Sequence, residues 1–296
     1  MKTFVLGVGA QKAGTSWLHD YLSGLPGFAP GFEKEYHILD ARYLEEGRRY
    51  ERRTWAKGLR AIPAIALKRL AAAAGVQVDD QHNRIDLARL SLMRSEAAYF
   101  DYFANLLAAP QVTHTADFTP EYAALTTETL REVRSEFLDR GIHVKAVFVM
   151  RDPVERAWSA SRMFVRQRKG GIFAGHAGEW PDERSAVASL CKSDHFLALG
   201  RYETTINRLE QAFGQDDVWL GFYERLFDNS TVLDIARFLG LPFEEPDLSR
   251  RVNAAPKAQP IDPEIAAMLR DCFEDTYRFL DDRFPGWSAA REELVS

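Results

Sequence analysis

Residues 2–22 read KTFVLGVGAQKAGTSWLHDYL. Phe4, Val5, Leu6 and Val8 form an apolar run of the length of a buried strand. Gly7, Gly9 and Gly14 follow around one cation, Lys12. Thr15 and Ser16 then open a helix whose apolar face is Trp17, Leu18, Tyr21 and Leu22, and Gly24 and Pro26 stop it. A strand, a glycine-rich turn and a helix N-terminus form a phosphate cradle: first-turn amides lack helical acceptors, and the helix dipole is positive there.

The loop is close to a Walker A sequence without being one. Gly9-Ala-Gln-Lys-Ala-Gly14-Thr15-Ser16 has two glycines at the right spacing, but Thr15 stands where a lysine should follow the second glycine. The cation lies inside the loop, at Lys12. A GxGxxG reading also fails, because no glycine follows Gly7-x-Gly9 three residues on. The bland alternative is a structural turn with a solvated lysine; the company of glycines, hydroxyls and a cation argues against it.

Outward from this unit, strands and helices alternate. Val144–Met150 (VKAVFVM) is the clearest buried strand; Gln111–Phe118 and Val218–Tyr223 are others. The spacing predicts helices over Ile62–Ala74 with Pro63 in the first turn, and over Ser95–Leu107 with Tyr99, Phe100, Phe103 and Leu107 as a core stripe. Tyr122–Val133 resumes a helical pattern, and another helix over Val154–Val165 follows Asp152 as N-cap and Pro153. A long helix lies within His195–Phe213, one from Ser230 as cap to Phe238 is closed by Gly240, and a last one covers Pro263–Phe284. The fold class expected is α/β: a P-loop-like three-layer fold with a central, mainly parallel sheet flanked by helices. No repeat or linker splits the chain, so residues 1–296 read as one domain with a helical insertion at about 41–110. Lys57, Arg60, Lys68 and Arg69 make the Ile62–Ala74 region a basic amphipathic helix. Such a helix can touch an acidic lipid or substrate, and is more often a solvated face.

Composition sets bounds. A 296-residue chain that is 46% hydrophobic supports a sizeable core, and 27% charged residues is ordinary for a globular protein. A net charge of −5 argues against a general nucleic-acid binder. Cys191 and Cys272 have no metal-ligand spacing and read as two reduced thiols. No stretch approaches a membrane span and the N-terminal apolar run is short for a signal peptide, so the expected location is the cytoplasm.

Titratable groups crowd residues 27–40, GFAPGFEKEYHILD, just past the first helix: Glu33, Lys34, Glu35, His37 and Asp40. Two alternate positions of an extended segment, Glu35 and His37, would face one side.

Three stretches together resemble the sulfotransferases that use 3′-phosphoadenosine 5′-phosphosulfate (PAPS) as donor, in particular the heparan-type and bacterial branch. QKAGTSWL (Gln11–Leu18) resembles the loop that binds the 5′-phosphosulfate, VFVMRDPVERAWSASRM (Val147–Met163) the strand-turn-helix that binds the 3′-phosphate, and KEYHILD (Lys34–Asp40) the KExHFFD-like segment. The resemblance implies a role for each matching residue. Lys12 would contact the sulfuryl group and leaving phosphate. Thr15 and Ser16, with the backbone from Ala13 through Gly14 to Ser16, would hold the 5′-phosphate. Arg151 and Ser159 would bind the 3′-phosphate, and Trp17 would pack near the adenine. Glu35 matches the general base, with His37 the second choice. Lys257, in VNAAPKAQ (Val252–Gln259), would be the cation of a late donor-binding loop. The stretch Asp117–Tyr122 lacks the lysine of the relatives' EKTPxYF segment.

The resemblance implies in-line sulfuryl transfer to a hydroxyl or amine of a small-molecule, lipid or saccharide acceptor, with no metal. Lys12 would meet charge growing on the bridging oxygen. Two other readings compete. A P-loop-type nucleotide kinase or NTPase would need the missing lysine and a magnesium carboxylate. A non-catalytic nucleotide-binding module would bind without turnover.

Overall fold

A computed structural model describes residues 1–73, 81–166, 180–248 and 260–287. Five parallel strands form one sheet in the order β2-β3-β1-β4-β5: β1 Thr3–Gly7, β2 Phe28–Ala29, β3 His114–Phe118, β4 His143–Met150 and β5 Val218–Phe222. β1 is central and wholly buried, which accounts for its unbroken apolar run; a parallel strand covered on both faces needs no polar alternation. Phe4 stacks on Phe137 with centroids 4.1 Å apart and meets Phe103 edge-on at 4.7 Å. At Gly7 a Cβ would lie 2.2 Å from the Phe118 ring, so only glycine lets these two neighbouring strands end side by side.

The chain leaves β1 for β3 on one side and reaches β4 on the other. The carboxyl ends of β1, β3 and β4 therefore open a crevice at the switch point, where α/β sheets bind ligands. Helix α1 (Thr15–Ser23) leaves this edge from β1, and α7 (Pro153–Arg166) leaves it from β4. Asp152 caps α7 as expected: its Oδ1 accepts from the Glu155 amide at 2.9 Å. Between β2 and β3 come four helices: α2 Leu39–Tyr43, α3 Gly47–Ala73, α4 Gln81–Met93 and α5 Glu96–Leu107. Ser95 caps α5, whose Tyr99, Phe100, Phe103 and Leu107 are all buried. α6 (Thr127–Leu138) precedes β4.

Several boundaries differ from the pattern in the sequence. Pro63 lies inside α3, not in its first turn, because the helix begins fifteen residues earlier than the apolar spacing suggests (Gly47 against Ile62). The expected helix of His195–Phe213 is two, α9 Asp194–Ala198 and α10 Tyr202–Phe213, parted at Gly200, where a Cβ would come within 2.4 Å of the Phe273 ring. Residues 183–190, for which the sequence spacing predicted no helix, form α8, capped by Asp182. The cap of α11 (Asn229–Leu239) is Asp228, not Ser230, and Gly240 closes it at φ 73°. The last helix is also two, α12 Pro263–Cys272 and α13 Glu274–Arg283, broken where the buried Phe273 turns to φ −124° and ψ 22°. In each case tertiary packing outweighed the local periodicity. Among the described residues no helix is long and apolar enough to cross a membrane. Cys191 and Cys272 are free thiols, and burial first, then a hydrogen bond to Cys272, pushes the Cys191 thiol up.

Candidate active site

The loop after β1 continues the sheet before it turns. The Val8 amide donates to Val147 O at 3.0 Å, the Ala10 amide to Val149 O at 2.6 Å, and the Val149 amide returns to Gly9 O at 2.9 Å. The backbone then passes through three left-handed positions, Gly9 (φ 121°), Lys12 (φ 70°) and Gly14 (φ 79°). Glycine holds two of these without cost; the third is a lysine, a conformation that clusters at ligand clamps. Gly14 begins α1 with no side-chain cap, so the first-turn amides of that helix are not taken by a capping side chain. Burial, and then the charges of Arg166 and Arg151, lower the pKa of Lys12. Such a cation is short of counter-charge, and an incoming anion would restore it.

Arg151 stands at the end of β4 and grips the loop: its Nη1 donates to Lys12 O at 3.1 Å. Its Nη2 meets Glu155 at 3.2 Å, and its guanidinium lies over the Tyr223 ring at 4.7 Å. The Glu155 pair is a purely structural use of the residue, yet the loop contact also sets Arg151 beside Lys12. Ser159 is half-buried on the second turn of α7. Ala13 and Thr15 are buried, and Ser16 is half-buried. Trp17 is 5% exposed; its ring stacks on Tyr21 at 5.9 Å and meets Phe227 at 5.0 Å, so most of its surface is already used in the core. Lys257 lies outside the described residues.

The segment carrying Glu35 and His37 is tied across the end of β3. Lys34 O accepts from the Phe118 amide at 3.0 Å, Asp117 from the Tyr36 amide at 3.4 Å, and Thr119 Oγ1 from the His37 amide at 3.4 Å. Asp117 is fully buried; Thr119 Oγ1, Tyr122 OH and Tyr99 OH donate to it at 2.6, 2.7 and 2.9 Å. Burial nevertheless raises its carboxyl to about 6. The segment is not extended throughout, because His37 turns to φ 56°. Glu35 and His37 still face each other, Nε2 to Oε2 at 3.6 Å.

Lys34 joins this segment to the cradle. Its Nζ lies 3.1 Å from both Thr15 Oγ1 and Ser16 Oγ, and 2.6 Å from Glu35 Oε1. The Lys34–Glu35 ion pair thus adjoins the Thr15 and Ser16 hydroxyls. Burial favours the neutral form of Glu35, but hydrogen bonds and charges from His37 and Lys34 outweigh it and hold the carboxyl down to about 2. For His37 burial opposes charge, but the carboxylates of Asp40 and Glu121 raise its pKa well above the usual value. Its charged form is thereby favoured, with Nδ1 2.8 Å from Asp40 Oδ2 and 3.8 Å from Glu121 Oε2. Glu121, pushed up to about 7 by burial, completes the group. His37, Asp40 and Glu121 also bring possible ligand atoms within 4.8 Å of one another, a gathering the sequence spacing had not shown. The 2.8 Å contact is that of a charge-assisted hydrogen bond, and the arrangement is a cation held among carboxylates.

A cavity of about 480 Å³ adjoins the Glu35 carboxylate, with Ser16, Lys34, His37, Tyr50 and Arg89 among its lining residues. Tyr50 comes from α3 and Arg89 from α4; the Arg89 Nη2 donates to Glu35 O at 3.0 Å. Neither residue was legible as part of the site, because each is remote in sequence and sits on an unremarkable helix. Asp40 had a signal in the density of titratable groups over residues 27–40, whereas Glu121, remote in sequence, had none.

A left-handed loop at a parallel switch point and an uncapped helix N-terminus, on a parallel sheet flanked by helices, define a P-loop-like α/β protein. The chain belongs to the sulfotransferase domain family, whose family model matches residues 2–258. A sulfotransferase from Alicyclobacillus acidocaldarius shares the fold: 20% identity, 98% of this chain and 99% of that chain covered, TM-score 0.62. Two further solved structures are similar at lower scores. The sulfotransferase domain of the Synechococcus PCC 7002 olefin synthase is 18% identical over 94% of each chain, with TM-score 0.49. The sulfotransferase domain from the curacin biosynthetic pathway is 19% identical over 84% of this chain and 77% of that one, with TM-score 0.44. No curated protein matches the chain.

Proposed function

We propose that this protein, a single sulfotransferase domain with the helices of residues 41–110 inserted, moves a sulfuryl group from PAPS to a hydroxyl or amine. The observation that carries the reading is Lys34, which ties the Glu35 carboxylate to the Thr15 and Ser16 hydroxyls and so puts a base beside an anion cradle. The α1 amides with Thr15 and Ser16 would hold the 5′-phosphosulfate, and Arg151 with Ser159 the 3′-phosphate. The acceptor oxygen or nitrogen forms a bond to sulfur as the bond from sulfur to the bridging phosphate oxygen breaks. Lys12 meets the charge growing on that oxygen, more in the transition state than before it. The acceptor proton passes to Glu35. A carboxylate of low pKa is a weak base, and it suits a loose transition state in which positioning and electrostatics do most of the work. His37, whose charged form the Asp40 and Glu121 carboxylates favour, orients Glu35 and is the weaker candidate for the base. The acceptor is a small molecule, lipid or saccharide, and the site of action is the cytoplasm.

A thermal-shift titration tests the donor site directly. Adenosine 3′,5′-bisphosphate at a hundred times its dissociation constant should stabilise the fold by about 2.7 kcal/mol. Stabilisation by magnesium-ATP alone would replace this reading with a kinase or NTPase. Binding of the bisphosphate without transfer of labelled sulfate to any member of an acceptor panel would leave a nucleotide-binding module.

A further inference from the structure

The helix α3 is out of character with the rest of the chain. The protein carries a net charge of −5, yet residues 47–73 hold eight Lys or Arg against one Glu. Arg48, Arg52, Arg53, Lys57 and Arg60 are all exposed. Among them runs an apolar stripe at helical spacing: Trp55 is 38% exposed, Leu59 56% and Ile62 51%. Leu87 of α4 is also exposed. The buried face of α3 is a different one, formed by Thr54, Gly58, Ala61 and Ile65. There a Cβ on Gly58 would come within 2.7 Å of Leu90, so α4 packs closely at this point. The stripe of Trp55, Leu59 and Ile62 is thus not the face that α4 covers.

From this juxtaposition we infer that the exposed face of α3 docks on an anionic membrane surface. An interfacial helix needs an apolar stripe to enter the headgroup boundary, an aromatic residue suited to that depth, and flanking cations for acidic lipid. α3 has all three. A second copy of this chain is a poor occupant, because it would set two strongly basic helices face to face. A nucleic acid would use the cations and leave the apolar stripe without a partner. The same helix carries Tyr50 into the cavity beside Glu35, so the docking face and the candidate site share one rigid element.

The test uses the whole chain and no nucleotide, so it does not depend on the sulfotransfer reading. Vesicles of phosphatidylcholine with about one-third phosphatidylserine are compared with phosphatidylcholine alone at physiological salt. The protein should sediment with the anionic vesicles only, and release as salt is raised. Each basic residue at the surface is worth about fivefold, so Arg52→Glu, Lys57→Glu and Arg60→Glu together should weaken partition at least about a hundredfold. Trp55→Ser with Leu59→Ser should also release it. Brominated lipid should quench the wild-type fluorescence, and Trp55→Phe should remove most of that quenching, a readout that survives if the multiple variants do not fold. Absence of wild-type sedimentation with anionic vesicles, unchanged partition of folded variants, or undiminished quenching in Trp55→Phe would each overturn the inference. So would a wild-type dimer that the Trp55→Ser, Leu59→Ser variant converts to monomer.

Discussion

Replacing Arg151 by alanine separates the loop contact that the structure shows from the 3′-phosphate contact that we propose. Its Nη1 holds Lys12 O at 3.1 Å, which braces the loop for any nucleotide. Its position at the end of β4 suits it to a 3′-phosphate. Loss of one hydrogen bond from a charged guanidinium to a carbonyl costs about 1.5 kcal/mol, or about tenfold in affinity. Loss of charge-assisted contacts to a phosphate costs a further 2–3 kcal/mol or so, about 30- to 150-fold. Calorimetric titration with adenosine 3′,5′-bisphosphate and with adenosine 5′-monophosphate distinguishes the terms. The Arg151→Ala variant should lose only about tenfold for the monophosphate, and the product of the two factors for the bisphosphate. Equal loss for both ligands would refute the 3′-phosphate assignment and leave Arg151 as a brace of the loop. A melting curve of the ligand-free variant guards against general damage, since the Glu155 contact and the Tyr223 stack are removed as well.

Three other changes test the site from different sides. Lys34→Met removes an ion pair that depresses the Glu35 pKa, so that carboxyl should titrate higher than about 2 in a carbon-13 NMR titration; an unmoved value would mean that His37 alone sets it. Asp117 has its carboxyl raised from 3.8 to about 6 by burial, so its protonated form is favoured by folding. That contribution is present below about pH 4 and is lost as pH rises through 6, roughly 3 kcal/mol at 1.36 kcal/mol per unit. Asp117→Asn should therefore gain stability relative to wild type by about that amount between pH 4 and 7 in urea unfolding, and a pH-independent difference would contradict the assignment. Gly14→Ala must hold φ 79° and place its Cβ 2.7 Å from Leu226 Cδ2, so a loss of about 2–4 kcal/mol should appear in the same assay; near-wild-type stability would mean the loop relaxes freely.

What could be read in advance was local. β1, its glycine-rich loop and α1 lie within the first 23 residues, and each element declares itself by period, by small residues and by stop signals. Val144–Met150 and the Asp152-Pro153 start of α7 are equally local. The pairing of Glu35 with the cradle was legible only as a resemblance between motifs. No spacing rule places Lys34 Nζ on Thr15 and Ser16, because the contact spans a helix and a turn. The full length of α3 was hidden too, since Pro63 is a start signal in isolation but is tolerated within a long packed helix.

The sequence by itself determined the alternation of strands and helices, the glycine-rich loop after β1 and the residue types available for the chemistry, because these depend on neighbours along the chain. Only the tertiary structure decided the charge states and the shape of the site. The charged form of His37 is favoured because Asp40 and Glu121 arrive from different elements, and the cavity beside Glu35 exists because α3 and α4 bring in Tyr50 and Arg89. Electrostatics and enclosure act through space, and the chain brings those groups together only when it folds.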